Sequence, residues 1–182
     1  EFMAILLVTE TESHLTQLFD CSWRLAQARH EGLTVVILQE GAEASVTPID
    51  LRAPGMDPVQ ISISSLRRLA EAHPEPFDDD PETPPLFVRL VISSDYGAAV
   101  LEEAKRVEPS LVIVEESLES DGAESLSRHL VSKCHNGLLV THGGLETLPK
   151  KILVPIVPGH QSGAALGVAH QLALESDGEV TA

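Results

Sequence analysis

Apolar residues occur along this chain in two alternating patterns. Short uninterrupted runs have the length and β-branched content of strands buried on both faces of a sheet. Between them, apolar positions recur every three or four residues, as in amphipathic helices. The runs predict strands over residues 3–9, 33–39, 86–93, 111–114 and 138–141. The helical spacing predicts helices over residues 13–30, 59–73, 96–107 and 123–135.

This alternation predicts an α/β fold, with a doubly wound, parallel five-stranded sheet covered by helices on both faces. Ser13 is expected to cap the first helix and Gly32 to stop it. Two segments interrupt the alternation. One is a weak region broken by prolines such as Pro48, and the other is residues 74–85, with five prolines and five carboxylates. The latter predicts an extended, solvated loop, and without glycines it matches no calcium-binding loop.

The pattern starts again after residue 150. Ile152-Leu153-Val154-Pro155 resembles Ile5-Leu6-Leu7-Val8, which lies 147 residues earlier, and it opens a predicted strand (151–157), helix (162–175) and strand (179–182). The expected organisation is a domain over 3–142, a linker over 143–150 and a truncated second repeat over 151–182. Because one βα unit cannot bury its own apolar face, the repeat should pack on the first domain or on a second chain, unless the chain lacks the residues that complete it.

Charge narrows the range of partners. The chain carries 12 Lys and Arg against 28 Asp and Glu, a formal charge of −16, which argues against nucleic acid and anionic membrane surfaces as partners. No apolar run is long enough to span a bilayer, and no signal peptide is recognisable, so we expect a cytoplasmic protein. Cys21 and Cys134 each lie within a helical pattern and are expected to be free thiols.

The loop after the fourth predicted strand has unusual chemistry for its position. Residues 114–124 contain one glycine and five carboxylates: Glu115, Glu116, Glu119, Asp121 and Glu124. A bound polyphosphate needs backbone N–H groups brought close by glycines, in a neutral or positive field. These carboxylates could instead hold a divalent cation, but a solvated acidic loop is the preferred interpretation.

The order of these segments resembles the universal stress protein family in its tandem form. Residues 86–114 are similar to the family's third strand, its short turn, a helix carrying Leu101-Glu102-Glu103-Ala104, and its fourth strand. Ile152-Leu153-Val154-Pro155-Ile156 resembles the opening strand of a family member, and Ser162-Gly163-Ala164-Ala165-Leu166 the helix start that follows. The resemblance implies a family-type fold over residues 3–142 and the start of another domain over 151–182.

The nucleotide-binding residues that the resemblance implies are mostly replaced. Glu10 and Val157 stand where the family's first strand ends in an adenine-contacting Asp. Glu115 or Glu116 occupies the place of the first glycine of the ATP motif, and Glu124-Ser125 that of its Gly-Ser/Thr pair, after a loop that is about four residues shorter than the family's. Ser125 alone matches the motif. We therefore expect no bound cofactor at these degenerate positions.

Other candidate chemistry is weak. Cys134, His135 and His142 could ligate zinc but lack a second ligand pair at usable spacing. His129 and His135 are expected to be surface groups. The segment 159–163, with His160, fits neither a nucleophile elbow nor a phosphate loop. We expect no catalytic residue and no metal site.

These observations predict a non-catalytic regulatory or interaction domain that has lost ATP binding. The family resemblance also allows that it is a cytosolic tail of a membrane transporter, tethered through a segment outside this chain. The alternative is a soluble stress protein that binds ATP or another adenine nucleotide, and a third class is a nucleotide-dependent hydrolase. A homodimer is expected, formed at the open edge of the sheet by the apolar strand Leu138, Leu139, Val140 and Thr141.

Overall fold

The computed structural model describes residues 3–9, 15–49, 85–116, 126–142, 148–155 and 160–182. The chain forms two compact units, Glu1–Gly144 and Leu145–Ala182. The elements of the first unit are β1 (Ala4–Thr9), α1 (Leu15–Arg29), β2 (Gly32–Glu40), β3 (Ser45–Ile49), β4 (Leu86–Ser93), α2 (Tyr96–Val107), β5 (Leu111–Glu116), α3 (Leu126–Lys133) and β6 (Gly137–His142).

The sheet of the first unit has six strands in the order β3-β4-β2-β1-β5-β6. All neighbours are parallel except β3, which runs antiparallel to β4. The α/β class and the mostly parallel arrangement are confirmed. The prediction of five strands is wrong, because β3 adds a sixth strand at one edge of the sheet. Pro48 argued against a strand, yet it lies opposite Arg89 on the edge strand β3. Proline is tolerated there because an edge strand leaves backbone N–H groups without a ladder partner.

The core lies on both faces of the central strands. Residues 5–8 of β1 are fully buried, as are most side chains of β2 and β5. The helices α2 and α3 cover one face through Val100, Ala104 and Leu130. The crossover through α1 leads from β1 to β2, whereas that through α2 leads back from β4 to β5. Since such crossovers are right-handed, α1 covers the opposite face, where Phe19 and Trp23 stack with ring centroids 6.3 Å apart.

Two helix ends in the first unit are formed by specific local hydrogen bonds. Asp95 caps α2 by accepting a hydrogen bond from the Ala98 backbone N–H at 2.9 Å. The prediction that Gly32 stops α1 is wrong, because Gly32 is the first residue of β2. His30 instead adopts the left-handed conformation (φ 53°), and the Glu31 N–H donates to the Ala26 carbonyl oxygen at 3.0 Å in a Schellman-type end.

The second unit is a small βαβ segment. Its elements are β7 (Lys151–Leu153), α4 (His160–Ser176) and β8 (Glu179–Thr181), and the two strands pair in parallel in a sheet of their own. Val154, Ala169, Leu172 and Ala173 are buried. The strand β7 is shorter than the predicted strand over 151–157, because strand pairing ends at Leu153. Ala165 is exposed, although the helical spacing over 162–175 predicts it on the same side as Ala169 and Leu172.

Several predicted features lie outside the described residues: Ser13, the helix over 59–73, all but the last residue of the loop over 74–85, and most of the linker over 143–150. Among the helices that are described, none combines the length and the apolar character needed to cross a membrane.

Candidate functional site

The strand order reverses direction at one position in the sheet, and open α/β sheets typically bind their ligands at such a position. From β1 the chain continues toward β2 on one side, and from β5 it continues toward β6 on the other. In open α/β sheets ligands bind outside the carboxyl ends of the two strands at which the order reverses. Here those strands are β1 and β5, and they end at Thr9 and Glu116. We refer to this position as the switch point.

Two polar side chains meet at the switch point. The Thr9 hydroxyl donates a hydrogen bond to Glu115 Oε2 at 3.4 Å, across 106 residues of sequence. The pairing of Val8 with Val114 brings them together, because Thr9 and Glu115 are the next residue on each strand. Thr9 is 1% exposed and Glu115 is 6% exposed. The centre of the sheet therefore ends in a buried carboxylate.

A third polar residue extends this row to the edge of the sheet. Thr141 on β6 pairs in register with Glu115, is buried, and donates to the Val114 carbonyl oxygen at 3.4 Å. Residues in register on neighbouring strands point to the same face, so Thr9, Glu115 and Thr141 line the α1 side of the carboxyl edge. This row can bind groups that donate hydrogen bonds, since a carboxylate accepts them.

The structure tests only part of the predicted site. Glu115 is buried within β5 at the switch point, whereas the sequence placed it in a solvated loop that begins after residue 114. The backbone of Glu116 pairs with that of His142, and the structure describes only the backbone of these two residues. Glu10, Glu119, Asp121, Glu124, Ser125 and Val157 are also outside it. Thr9 was not predicted as a site residue. The sequence feature that could have indicated it is a hydroxyl residue at the end of an otherwise apolar run. Buried strands often end in such a residue without having a binding function.

The zinc hypothesis gains no support from the described residues. Cys134 is half-buried, and its thiol faces Asn136 Oδ1 at 3.5 Å. His135 is exposed. Across the described ranges, no three His, Cys, Asp or Glu side chains cluster as metal ligands do. His129, expected at the surface, is half-buried instead. Its ring lies so close to Gly97 that a Cβ added there would be 2.6 Å from it.

The dimer strand predicted from the sequence forms the end of the sheet. Leu138, Leu139 and Val140 on β6 are half-buried. Thr141 is buried and already bonded within its own chain, which makes it a less suitable contact residue than its three neighbours.

Comparison with known proteins identifies the fold. The chain matches no protein-family profile and none of the curated proteins. Among solved structures it is similar to a universal stress protein in complex with cAMP, with 15% identity, 78% of this chain and 98% of the other covered, and a TM-score of 0.51. A universal stress protein family member from Burkholderia pseudomallei has 19% identity, coverage of 77% and 96%, and a TM-score of 0.48. UspA from Lactobacillus plantarum has 14% identity, coverage of 77% and 97%, and a TM-score of 0.48.

At these identities the likeness concerns the fold. The first of these structures supports it: this chain has the α/β fold of universal stress proteins, with a mostly parallel central sheet and flanking helices. The resemblance inferred from the sequence is confirmed at this level.

Proposed function

We propose that this chain is a non-catalytic regulatory or interaction domain that keeps the universal stress protein fold without binding ATP. The observation that carries the proposal is the buried Glu115 at the switch point, joined to Thr9 by a hydrogen bond. A side chain at this position reaches the crevice in which an open α/β sheet binds its ligand.

Charge at the switch point disfavours a phosphate group. Ionised phosphates and ionised carboxylates both accept hydrogen bonds and cannot donate them, so they cannot bond to each other directly. Where water is excluded, two like charges a few ångströms apart repel more strongly than in solution. The sequence after Glu115 continues with Glu116, Glu119, Asp121 and Glu124, and with Gly122 as the loop's one glycine. A triphosphate would meet negative charge where a nucleotide-binding loop supplies N–H groups.

A second candidate function is binding of an adenine nucleotide with less phosphate charge. It is favoured by one observation, the structurally similar protein that is in complex with cAMP. The Glu115 carboxylate could accept hydrogen bonds from a sugar or a base, as acidic residues at strand ends do in dinucleotide-binding folds.

Calorimetry with millimolar Mg·ATP and, separately, with cAMP tests both candidates. We expect no ATP binding tighter than about 100 μM, which corresponds to roughly −5.5 kcal/mol. ATP binding tighter than this would overturn the proposal. If cAMP alone binds, Glu115→Gln should weaken it at least tenfold, whereas the matched variant Glu102→Gln, on the exposed side of α2, should not. That outcome would establish the second candidate instead.

A domain without catalytic activity should act by binding other protein chains. The edge strand β6 offers the apolar residues Leu138, Leu139 and Val140 for a homodimer. A cytoplasmic location and attachment to a membrane transporter in the same polypeptide remain predictions from the sequence. Expression of the full gene product with a fluorescent tag would test them, since a tethered domain would sediment with membranes and a free one would not.

A further inference from the structure

A cavity lies at the edge of the sheet opposite the switch point, where the parallel strands begin. It has a volume of about 280 Å³. Small residues at the starts of β1 and β2, Ala4 and Gly32, border it, and Arg89 and Arg106 line it from β4 and α2. A strand of six residues is about 20 Å long, so this cavity is far from the switch point.

The two arginines converge on one buried carboxylate. Glu103, 4% exposed, accepts hydrogen bonds from Arg106 through both carboxylate oxygens, with Arg106 Nε at 3.1 Å from Oε1. Arg89 Nη1 lies 3.8 Å from Glu103 Oε2. Two guanidiniums carry ten N–H donors, and one carboxylate accepts about four hydrogen bonds. The cluster therefore has a net positive charge and spare donors, in a chain whose formal charge is −16.

Electrostatic repulsion inside the cluster makes it receptive to an anion. Burial, followed by the proximity of Arg106, holds the pKa of Arg89 below its ordinary value, and Glu103 offsets part of this shift. A negative group that enters from the cavity and contacts both guanidiniums would balance the remaining positive charge, through N–H donors that Glu103 does not use.

The rest of the lining is apolar. Phe87 precedes Arg89 on the same face of β4 and is 54% exposed, and Met3 is 63% exposed. Exposed aromatic side chains beside arginines are common where a ligand combines a charged group with an apolar body. The cavity volume lies just below the size range of typical small-molecule sites, so it favours a small ligand.

We propose that this cavity binds a small organic monocarboxylate, whose acid group pairs with Arg89 and Arg106 and whose apolar body packs on Phe87. Inorganic phosphate would satisfy the arginines but leave the apolar wall uncovered. The site goes beyond the proposed function and does not depend on it, because no residue is shared with the switch point.

Fluorine NMR with 4-fluorobenzoate as the probe tests the proposal. Binding should be in the low-millimolar range or tighter, as expected for a ligand of this size. The neutral analogue 4-fluorobenzamide separates charge from shape, and inorganic phosphate separates charge from the apolar body. We expect both to bind at least tenfold more weakly than 4-fluorobenzoate. Equal binding of the benzamide, preferential binding of phosphate, or no binding of 4-fluorobenzoate would each overturn the proposal.

Three variants locate the site. Arg89→Gln and Phe87→Ser should each weaken 4-fluorobenzoate binding about tenfold, whereas Arg24→Gln, which breaks an exposed pair with Asp20 on α1, should not change it. If Arg89→Gln fails to fold, the side-chain Nε–H signals of Arg89 and Arg106 in the unmodified protein provide the same information. Those signals should shift with the probe while that of Arg24 stays in place, and a shift at Arg24 with none at Arg89 would contradict the assignment.

Discussion

At the scale of single residues, the buried carboxylates of this chain differ in where they lie in the fold. Glu31 accepts a hydrogen bond from Ser110 and lies 3.9 Å from Arg29, and Glu103 is bound by Arg106. Glu115 accepts a hydrogen bond from the Thr9 hydroxyl and is the next-to-last residue of β5 at the switch point. A buried carboxylate is retained only where its hydrogen bonds are made. Its place in the topology then decides whether it faces a ligand crevice.

Cys21 provides a residue-scale prediction with a defined pH window. Burial, and then the nearby Asp20, raise the pKa of its thiol from 9.0 to about 11, with a smaller opposite effect of Arg24. Between these values the unfolded chain releases the proton that the folded chain keeps. Unfolding thus becomes easier as pH rises, and the stabilisation present below pH 9 is lost by pH 11.

Urea titrations at pH 8.5 and 10.5 should show that wild type loses stability more steeply with pH than Cys21→Ala does. Identical pH slopes would contradict the prediction. In the folded protein iodoacetamide should modify the half-buried Cys134 well before Cys21, because the thiolate is the reactive form.

Gly97 in the first turn of α2 gives a second residue-scale prediction. Alanine there would gain up to about 1 kcal/mol of helix propensity, but its Cβ would lie 2.6 Å from the His129 ring. Overpacking of this kind costs about 1–3 kcal/mol, so Gly97→Ala should be destabilising on balance. In a double-mutant cycle measured by chemical denaturation, adding His129→Ala should recover most of the loss. An additive double mutant would contradict the contact.

At the scale of elements, the sequence predicted the parts whose patterns are strong. The bounds of β4 and α2 agree with the prediction to the residue, because both have clear periodicity and α2 has an Asp95 cap. The strand β3 was missed because its pairing with β4 stabilises it despite Pro48. The end of α1 was predicted to within one residue, but the stop signal was assigned to Gly32, whereas His30 takes the left-handed position. Tertiary contacts decide such positions, and local propensity does not reveal them.

The edge strand β6 carries an element-scale prediction about assembly. The described sheet ends at β6, while β7 pairs with β8, so an unpaired backbone edge is offered to a second copy. Light scattering should give twice the chain mass of 19.5 kDa at tens of micromolar protein. Leu139→Lys should return it to the monomer, whereas Val131→Lys, at the 70% exposed position on α3, should not. A monomeric wild type would exclude the dimer.

At the scale of the whole molecule, the sequence predicted two units, and the structure describes a compact βαβ segment in the second. In its helix, Leu172 is 7% exposed and Leu174 is 68% exposed, which agrees with the helical spacing that places Leu172 on the same side as the buried Ala169 and Ala173. The fold could be predicted because strand runs and their order repeat a known arrangement. The Thr9–Glu115 contact could not, because it depends on pairing between strands that are 106 residues apart.

The stability of the second unit is testable by proteolysis. Elastase is suited to this because no Lys or Arg follows Lys151. The segment 160–176 should resist cleavage in the wild type, since Ala169, Leu172 and Ala173 are buried. Leu172→Asp should open the segment to rapid cleavage, and the exposed Leu174→Asp should leave it resistant. Rapid cutting of the wild type within α4 would contradict the packing.

We propose above that the switch point of this universal stress protein fold does not bind ATP. Backbone amide NMR of the isotope-labelled chain reports on this directly, since Val8, Thr9, Val114 and Glu115 lie near the ends of β1 and β5. With Mg·ATP added up to a few millimolar, we expect no saturable shift of these four amide signals. Saturable shifts confined to these residues, with a dissociation constant tighter than about 100 μM, would contradict it.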